Sequence, residues 1–148
     1  MTVQIRSVHP REAKELLEAS HALMESLFPS ESNHYLSLDE LAVPEIRFLV
    51  AEDGNTLLGC GAVAIKPGYG EIKSMFTDPA ARGKGVADAI LSALTLAAEE
   101  EGLSALRLET GDSLDAAHRL YERHGFTRRG PFGDYPEDPL SIFYEKAL

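Results

Sequence analysis

The sequence holds a single cysteine, Cys60, so an intramolecular disulfide is excluded, and no thiol cluster with zinc-ligand spacing exists. A reducing compartment such as the cytoplasm fits that usage. Positive charge is also scarce. Fourteen lysines and arginines stand against 24 aspartates and glutamates, a formal net charge of -10. Binding nucleic-acid phosphates or anionic lipid needs a basic face that such a chain lacks on average, so a small or cationic partner is expected, with no nucleic acid and no membrane. No apolar run approaches the roughly 20 residues of a membrane-spanning helix. The amino terminus, MTVQIRSVHPREAKELLEAS, turns polar and helical too early for a secretory signal. Two nucleotide signatures are missing as well: there is no G-x-x-x-x-G-K-[ST], and no G-x-G-x-x-G after the first strand.

What is present suits one soluble domain over residues 1–148, with 44% hydrophobic and 26% charged residues. Val3, Ile5, Ser7 and Val8 predict a short strand, and Pro10 opens a helix whose apolar positions run through Ala13, Leu16, Leu17, Leu23, Met24 and Leu27. Ser37 to Leu41 reads as a second helix start, ended by Pro44. Residues 47–52 and 56–66 are apolar, β-branched runs joined by Asp53-Gly54-Asn55, which is hairpin chemistry. Pro67-Gly68-Tyr69-Gly70 predicts a turn and residues 71–77 a fourth strand. A helix over 83–101 follows, with Val86, Ala89, Ile90, Ala93, Leu94 and Ala97 on one stripe. A strand over 103–110, a helix over 113–124 stopped by Gly125, and closing strands at 126–128 and 142–145 complete the pattern. The order β-α-α-β-β-β-α-β-α-β-β joins hairpins to a β-α-β crossover, which implies an α/β fold with a mixed sheet.

One stretch stands out in so acidic a chain: Arg82-Gly83-Lys84-Gly85, placed where a helix begins. A helix start exposes unpaired N–H groups at the positive end of its dipole, and glycines let an anion approach closely. Glycine at such a junction can also serve steric needs alone, so a phosphate site and a purely steric turn both stand open on these residues.

Arg82-Gly83-Lys84-Gly85-Val86-Ala87 resembles the R/Q-x-x-G-x-G/A loop of the GNAT superfamily of acyl-CoA-dependent N-acetyltransferases. The preceding MFTDPAARGKG resembles that family's fourth strand and loop, and AHRLYERHGF its A-x-x-L-Y-x-x-x-G-F helix and turn. The resemblance covers the whole element order. It implies acetyl-CoA as co-substrate and no metal, with the coenzyme pyrophosphate on the backbone from Arg82 through Gly83, Lys84, Gly85 and Val86 to Ala87. The pantetheine would run along the main chain of Met75, Phe76 and Thr77. Tyr121 would protonate the departing thiolate, and Glu71, where some members carry a glutamate, would act as general base. Glu109 and Thr110 are alternatives that could hold a relay water. Leu114 departs from the family pattern, which often has Asn there, and puts one coenzyme contact in doubt.

Other residues have plainer readings. Cys60 reads as a small buried residue, and His118 and His124 as solvent-facing. The segment GPFGDYPEDPL, 130–140, carries Asp134, Glu137 and Asp138 with Phe132 and Tyr135, a composition that could line a pocket for a cationic amine. The expected function is acetyl transfer to a primary amine of a small molecule or peptide by a cytoplasmic enzyme able to form a homodimer. The alternative is a non-catalytic acyl-CoA-binding or regulatory module of the same fold.

Overall fold

The structure, a computed structural model, describes residues 2–148. Strand β1 (Gln4–Ser7) leads through a tight turn begun by Pro10, where His9 Nδ1 accepts from the Arg11 N–H at 3.0 Å, into helix α1 (Lys14–Leu27). Helix α2 (Leu38–Leu41) is a single turn set by a reciprocal cap: Ser37 Oγ accepts from the Glu40 N–H, and Glu40 Oε1 from the Ser37 N–H. Strands β2 (Ile46–Asp53), β3 (Thr56–Lys66) and β4 (Tyr69–Thr77) form an antiparallel meander. Strand β4 starts two residues before the sequence pattern suggests. Ile65 and Lys66 pair with Gly70 and Tyr69, leaving only Pro67 and Gly68 for the turn, with Gly68 at φ +84°.

Helix α3 (Val86–Glu100), strand β5 (Ala105–Gly111), helix α4 (Asp115–Arg123) and strands β6 (Thr127–Arg129) and β7 (Ser141–Ala147) complete the chain. The seven strands lie in the order β1-β2-β3-β4-β5-β7-β6. Only β4 and β5 run parallel, as the crossover through α3 requires.

Alternating side chains divide the core between the two faces of the sheet. Ala51, Val63, Ile72 and Leu106 meet α3 and α4, while Val50, Cys60 and Ala62 meet Leu16, Leu17 and Leu41. The stripe that α3 buries is Val86, Ile90, Leu91, Leu94 and Ala98. The larger members each contribute about 1.5–3 kcal/mol by leaving water. The expected Ala89, Ala93 and Ala97 sit at its margin, because Leu91 bears more apolar area and turns the helix toward itself. Two glycines let α3 lie close on the sheet. A Cβ on Gly59 would stand 2.8 Å from the Phe76 carbonyl oxygen, and one on Gly61 would stand 2.7 Å from Ile90 Cγ2.

One irregularity positions everything that follows. Between Cys60 and Ala62 the pairing slips, so that β4 spends one extra residue there, and Ser74 takes φ +57°. This is a β-bulge, which bends its strand. Strands β4 and β5 pair only at Gly70–Leu106 and Glu71–Arg107, and the carboxyl half of β4 forms no ladder with β5. The sheet splits at its centre.

Candidate active site

On one side of the split, the turn 79–81 and Gly83 and Gly85, at φ +77° and +79°, carry the chain into α3. No side chain caps that helix, and the backbone N–H groups from Gly83 to Asp88 find no acceptor among the described residues. Cβ atoms on Gly83 or Gly85 would meet nothing within 4 Å, so the surface above them is open. Six donors at the positive end of a 15-residue helix form an anion cradle. Arg82 folds back, its Nε donating to the Thr77 carbonyl at 3.4 Å and its guanidinium 5.9 Å from the Phe76 ring centre, while Lys84 is exposed.

A cavity of about 760 Å³ runs from this cradle along Met75, Phe76 and Thr77 to Leu114, Ala117 and Tyr121 on α4. Of the residues expected at a coenzyme site, all except Lys84 border it. Asp88, also at its edge, is desolvated, but hydrogen bonds from His124 Nε2 at 2.8 Å and from Arg123 outweigh that and hold its carboxyl below the usual range. The expected solvent-facing His124 is therefore half-buried and engaged, because the helices bring Asp88 beside it.

A second cavity, of about 140 Å³, shares Met24, Met75, Leu114, Ala117 and Tyr121 with the first. Tyr121 thus stands in the wall between them. It is 5% exposed and packs edge-on against Phe126, with ring centres 5.7 Å apart. Burial, and then the charge of Glu109, push its phenol up, so it stays protonated throughout the neutral range. Glu109 and Thr110, at the end of β5, border the smaller cavity. Desolvation raises the Glu109 carboxyl, against the opposing hydrogen bond that Ser141 Oγ donates to Oε2 at 2.7 Å and the nearby charges of His34 and Lys73. Phe28 closes the far side by packing on Gly111, where any Cβ would collide with its ring.

Glu71 is not brought to the same cavity as Tyr121. Its carboxylate is buried at the start of β4, accepts from the Tyr135 hydroxyl, and lies 3.5 Å from Lys73 Nζ. It borders instead a third cavity, of about 870 Å³, outside Tyr135. Lys73 Nζ also donates to the His34 carbonyl and the Tyr135 hydroxyl, each at 2.9 Å, and reaches the wall of the small cavity beside Ser74. The sequence reading passed over Lys73, His34 and Ser74. Nothing in a strand pattern marks a bulge, and His34 is 39 residues from Lys73.

The segment 130–140 divides. Phe132 and Tyr135 turn inward onto Phe143, with ring centres 5.8 and 5.5 Å away. Asp138 accepts from Ser32 Oγ at 2.5 Å, while Asp134 and Glu137 are exposed. The five residues do not line one pocket. His118, expected to face solvent, is 8% exposed, and its Nε2–H donates to the Gly111 carbonyl at 2.8 Å, tying α4 to the end of β5. Cys60 is wholly buried, its thiol pushed up to about 12 by desolvation, which leaves it unreactive. No group of side chains able to hold a metal ion, and no helix long and apolar enough to cross a membrane, occurs among the described residues.

A mixed sheet split beside a glycine-led anion cradle, with helices on both faces, is the architecture of acyl-CoA N-acyltransferases. The sequence profile of the Acetyltransferase (GNAT) family matches residues 13–126. The chain belongs to that family, and it is an acetyl-CoA-dependent N-acetyltransferase. It is 48% identical over 136 residues to an IAA acetyltransferase of Azospirillum brasilense, covering 90% of this chain and 89% of that one. To the uncharacterized N-acetyltransferase YsnE of Bacillus subtilis it is 40% identical, covering 100% of both chains. The crystal structure of an acyl-CoA N-acyltransferase from Klebsiella pneumoniae superposes with a TM-score of 0.84 at 33% identity, covering 99% and 98% of the two chains. The PaiA N-acetyltransferase of Thermoplasma acidophilum, solved with coenzyme A, shares the fold with a TM-score of 0.76 at 16% identity, covering 100% of both chains.

Proposed function

We propose that the protein acetylates a primary amine of a small molecule or peptide by direct attack, with Tyr121 as the proton donor to sulfur and Glu109 as the proton acceptor from nitrogen. One observation carries this reading: Tyr121 stands between a cavity that ends in free N–H groups and one bordered by the half-buried carboxylate of Glu109. Acetyl-CoA supplies the thioester-activated acetyl group. The open cradle at Gly83 to Asp88 fits its phosphates, and the edge of β4 at Met75, Phe76 and Thr77, paired with β3 on one side but with no ladder to β5 on the other, fits the amides of its pantetheine arm. The buried thiol of Cys60 suits the reducing cytoplasm.

The two protons differ in weight. A lysine-like amine with pKa about 10.4 costs roughly 4 to 5 kcal/mol to hold neutral at pH 7, whereas a thiol with pKa about 8.5 costs roughly 2 kcal/mol to leave ionised. Taking the amine's proton is the harder task, and a carboxylate made more basic by burial suits it. Glu109 takes that proton directly or through a water. Glu71, committed to Tyr135 and Lys73, acts by holding those two side chains in place.

Thiol release from acetyl-CoA over a panel of amines, with coenzyme A affinity measured by calorimetry, tests the reading. Tyr121→Phe keeps the packed ring, so its coenzyme affinity should match the parent while turnover drops by about tenfold to a hundredfold. Full turnover would reduce Tyr121 to a packing residue. Coenzyme binding with no acetylation of any amine would instead mark a non-catalytic acyl-CoA-binding module.

A further inference from the structure

The small cavity beside Tyr121 is bordered by polar groups that the protein leaves unsatisfied. Ser74 Oγ and His34 Nε2 are both buried without a hydrogen-bond partner among the described residues. Burying such a group unpaired is costly, and a group retained in that state next to a cavity calls for a partner from outside the chain. The cost at Ser74 is compounded. Its side chain is placed by a non-glycine residue in the left-handed region, at the bulge that splits the sheet.

Lys73 joins these two. Its ammonium is 12% exposed on the same wall, with two of its three N–H donors given to the His34 carbonyl and the Tyr135 hydroxyl. Glu71, at 3.5 Å, balances its charge without making a short hydrogen bond, so one donor remains. A lone anion is poorly matched here, since Glu71 already offsets Lys73 and Glu109 lies nearby. A zwitterion is matched at both ends, its carboxylate at Lys73, His34 and Ser74 and its ammonium at Glu109. A cavity of about 140 Å³ limits it to a compact molecule or to the head of a longer one.

We propose that the acceptor is a compact amino acid, an amine that carries its own carboxylate, and that Lys73, with Ser74 and His34, binds that carboxylate. This rests on the amine acetyltransferase reading above and narrows its substrate. The chemistry balances as before: the bound ammonium gives one proton to Glu109, the freed amine forms the N–C bond to the acetyl carbon as the C–S bond breaks, and the second proton shed by nitrogen replaces the one Tyr121 gives to sulfur, so that the coenzyme leaves as a thiol. The acceptor carboxylate takes no part in bond changes and serves to hold the nitrogen in place.

The test compares amino acids with their own carboxamides, and with the same amines lacking any carboxyl group, using thiol release and mass detection of the product. The amides have the lower amine pKa and hence more neutral amine at a given pH, so a preference for the acids cannot come from ionisation. The whole enzyme should favour the acids in kcat/KM by about tenfold or more, as expected for a charge-assisted hydrogen bond. Lys73→Gln should bring that ratio close to one, mainly through KM, and Ser74→Ala should lower it partway; Lys73→Arg should restore part of it. Amides or plain amines acetylated as well as the acids by the parent enzyme would overturn the proposal while leaving amine acetylation standing. No acetylation of any of the three sets would overturn the proposal, and failure with peptide amines as well would overturn the amine acetyltransferase reading too. Because the parent enzyme alone decides the preference, a variant that fails to fold does not blunt the test.

Discussion

Replacing Glu109 by glutamine should move activity and stability in opposite directions. Glu109 is half-buried at the end of β5 and its carboxyl is raised, chiefly by desolvation. A group whose folded pKa lies above its unfolded value binds its proton more tightly in the native state. Its contribution is therefore fully present below the unfolded glutamate range, near pH 4, and is lost as pH climbs through the folded value. Within that window stability falls by about 1.4 kcal/mol per pH unit for the one proton concerned. Glutamine carries no such charge, and its amide oxygen can still accept from Ser141 Oγ. Glu109→Gln should match the parent in melting temperature near pH 4 and exceed it near pH 7. In a domain of this size each kcal/mol corresponds to about 2 to 4 °C. Activity should change the other way. Loss of the group that takes the amine's proton should lower kcat/KM by about 10² to 10⁴-fold for an alkylamine, and much less for an aniline-like amine that is already neutral. The acidic limb of the parent's pH–rate profile, set above the ordinary glutamate range by burial, should vanish in the variant. Melting curves from pH 4 to 8 and rates with both amines provide the check. Equal loss with both amines would remove Glu109 as the base, and a variant less stable than the parent at pH 7 would refute the desolvation argument.

Gly85→Val should weaken coenzyme A binding by about tenfold or more in calorimetry while the chain still folds, since a β-branched residue resists φ near +79° although nothing within 4 Å blocks its Cβ; unchanged affinity would place the phosphates elsewhere. Gly61→Ala should cost about 1 to 3 kcal/mol, because its Cβ would fall 2.6 Å from Met75 Sδ and 2.7 Å from Ile90 Cγ2, and a melting temperature equal to the parent's would show that α3 is free to shift off the sheet.

Local chemistry was legible from the chain alone because it depends on neighbours in sequence. The Ser37–Glu40 cap and the cradle around Gly83 and Gly85 each lie within a few residues, and backbone rules suffice to anticipate them. The hairpin turns and the strand–helix order followed from period and punctuation in the same way. Conditional assignments fared differently: Glu71 occupies the strand position expected of it, yet its carboxylate is turned to Tyr135 and Lys73, and His118, read as solvent-facing, is buried against the Gly111 carbonyl. Which face a strand residue presents depends on the register, and that register shifts at Ser74 through a bulge that no hydrophobic pattern records. Tertiary structure alone brought His34, Lys73, Ser74, Glu109 and Tyr121 around one cavity. They come from a loop, two strands and a helix, and they converge because the bulged β4 parts from β5. Identity and spacing along a chain can say which groups are able to move protons. Only the split of the sheet decides which of them face the same small volume.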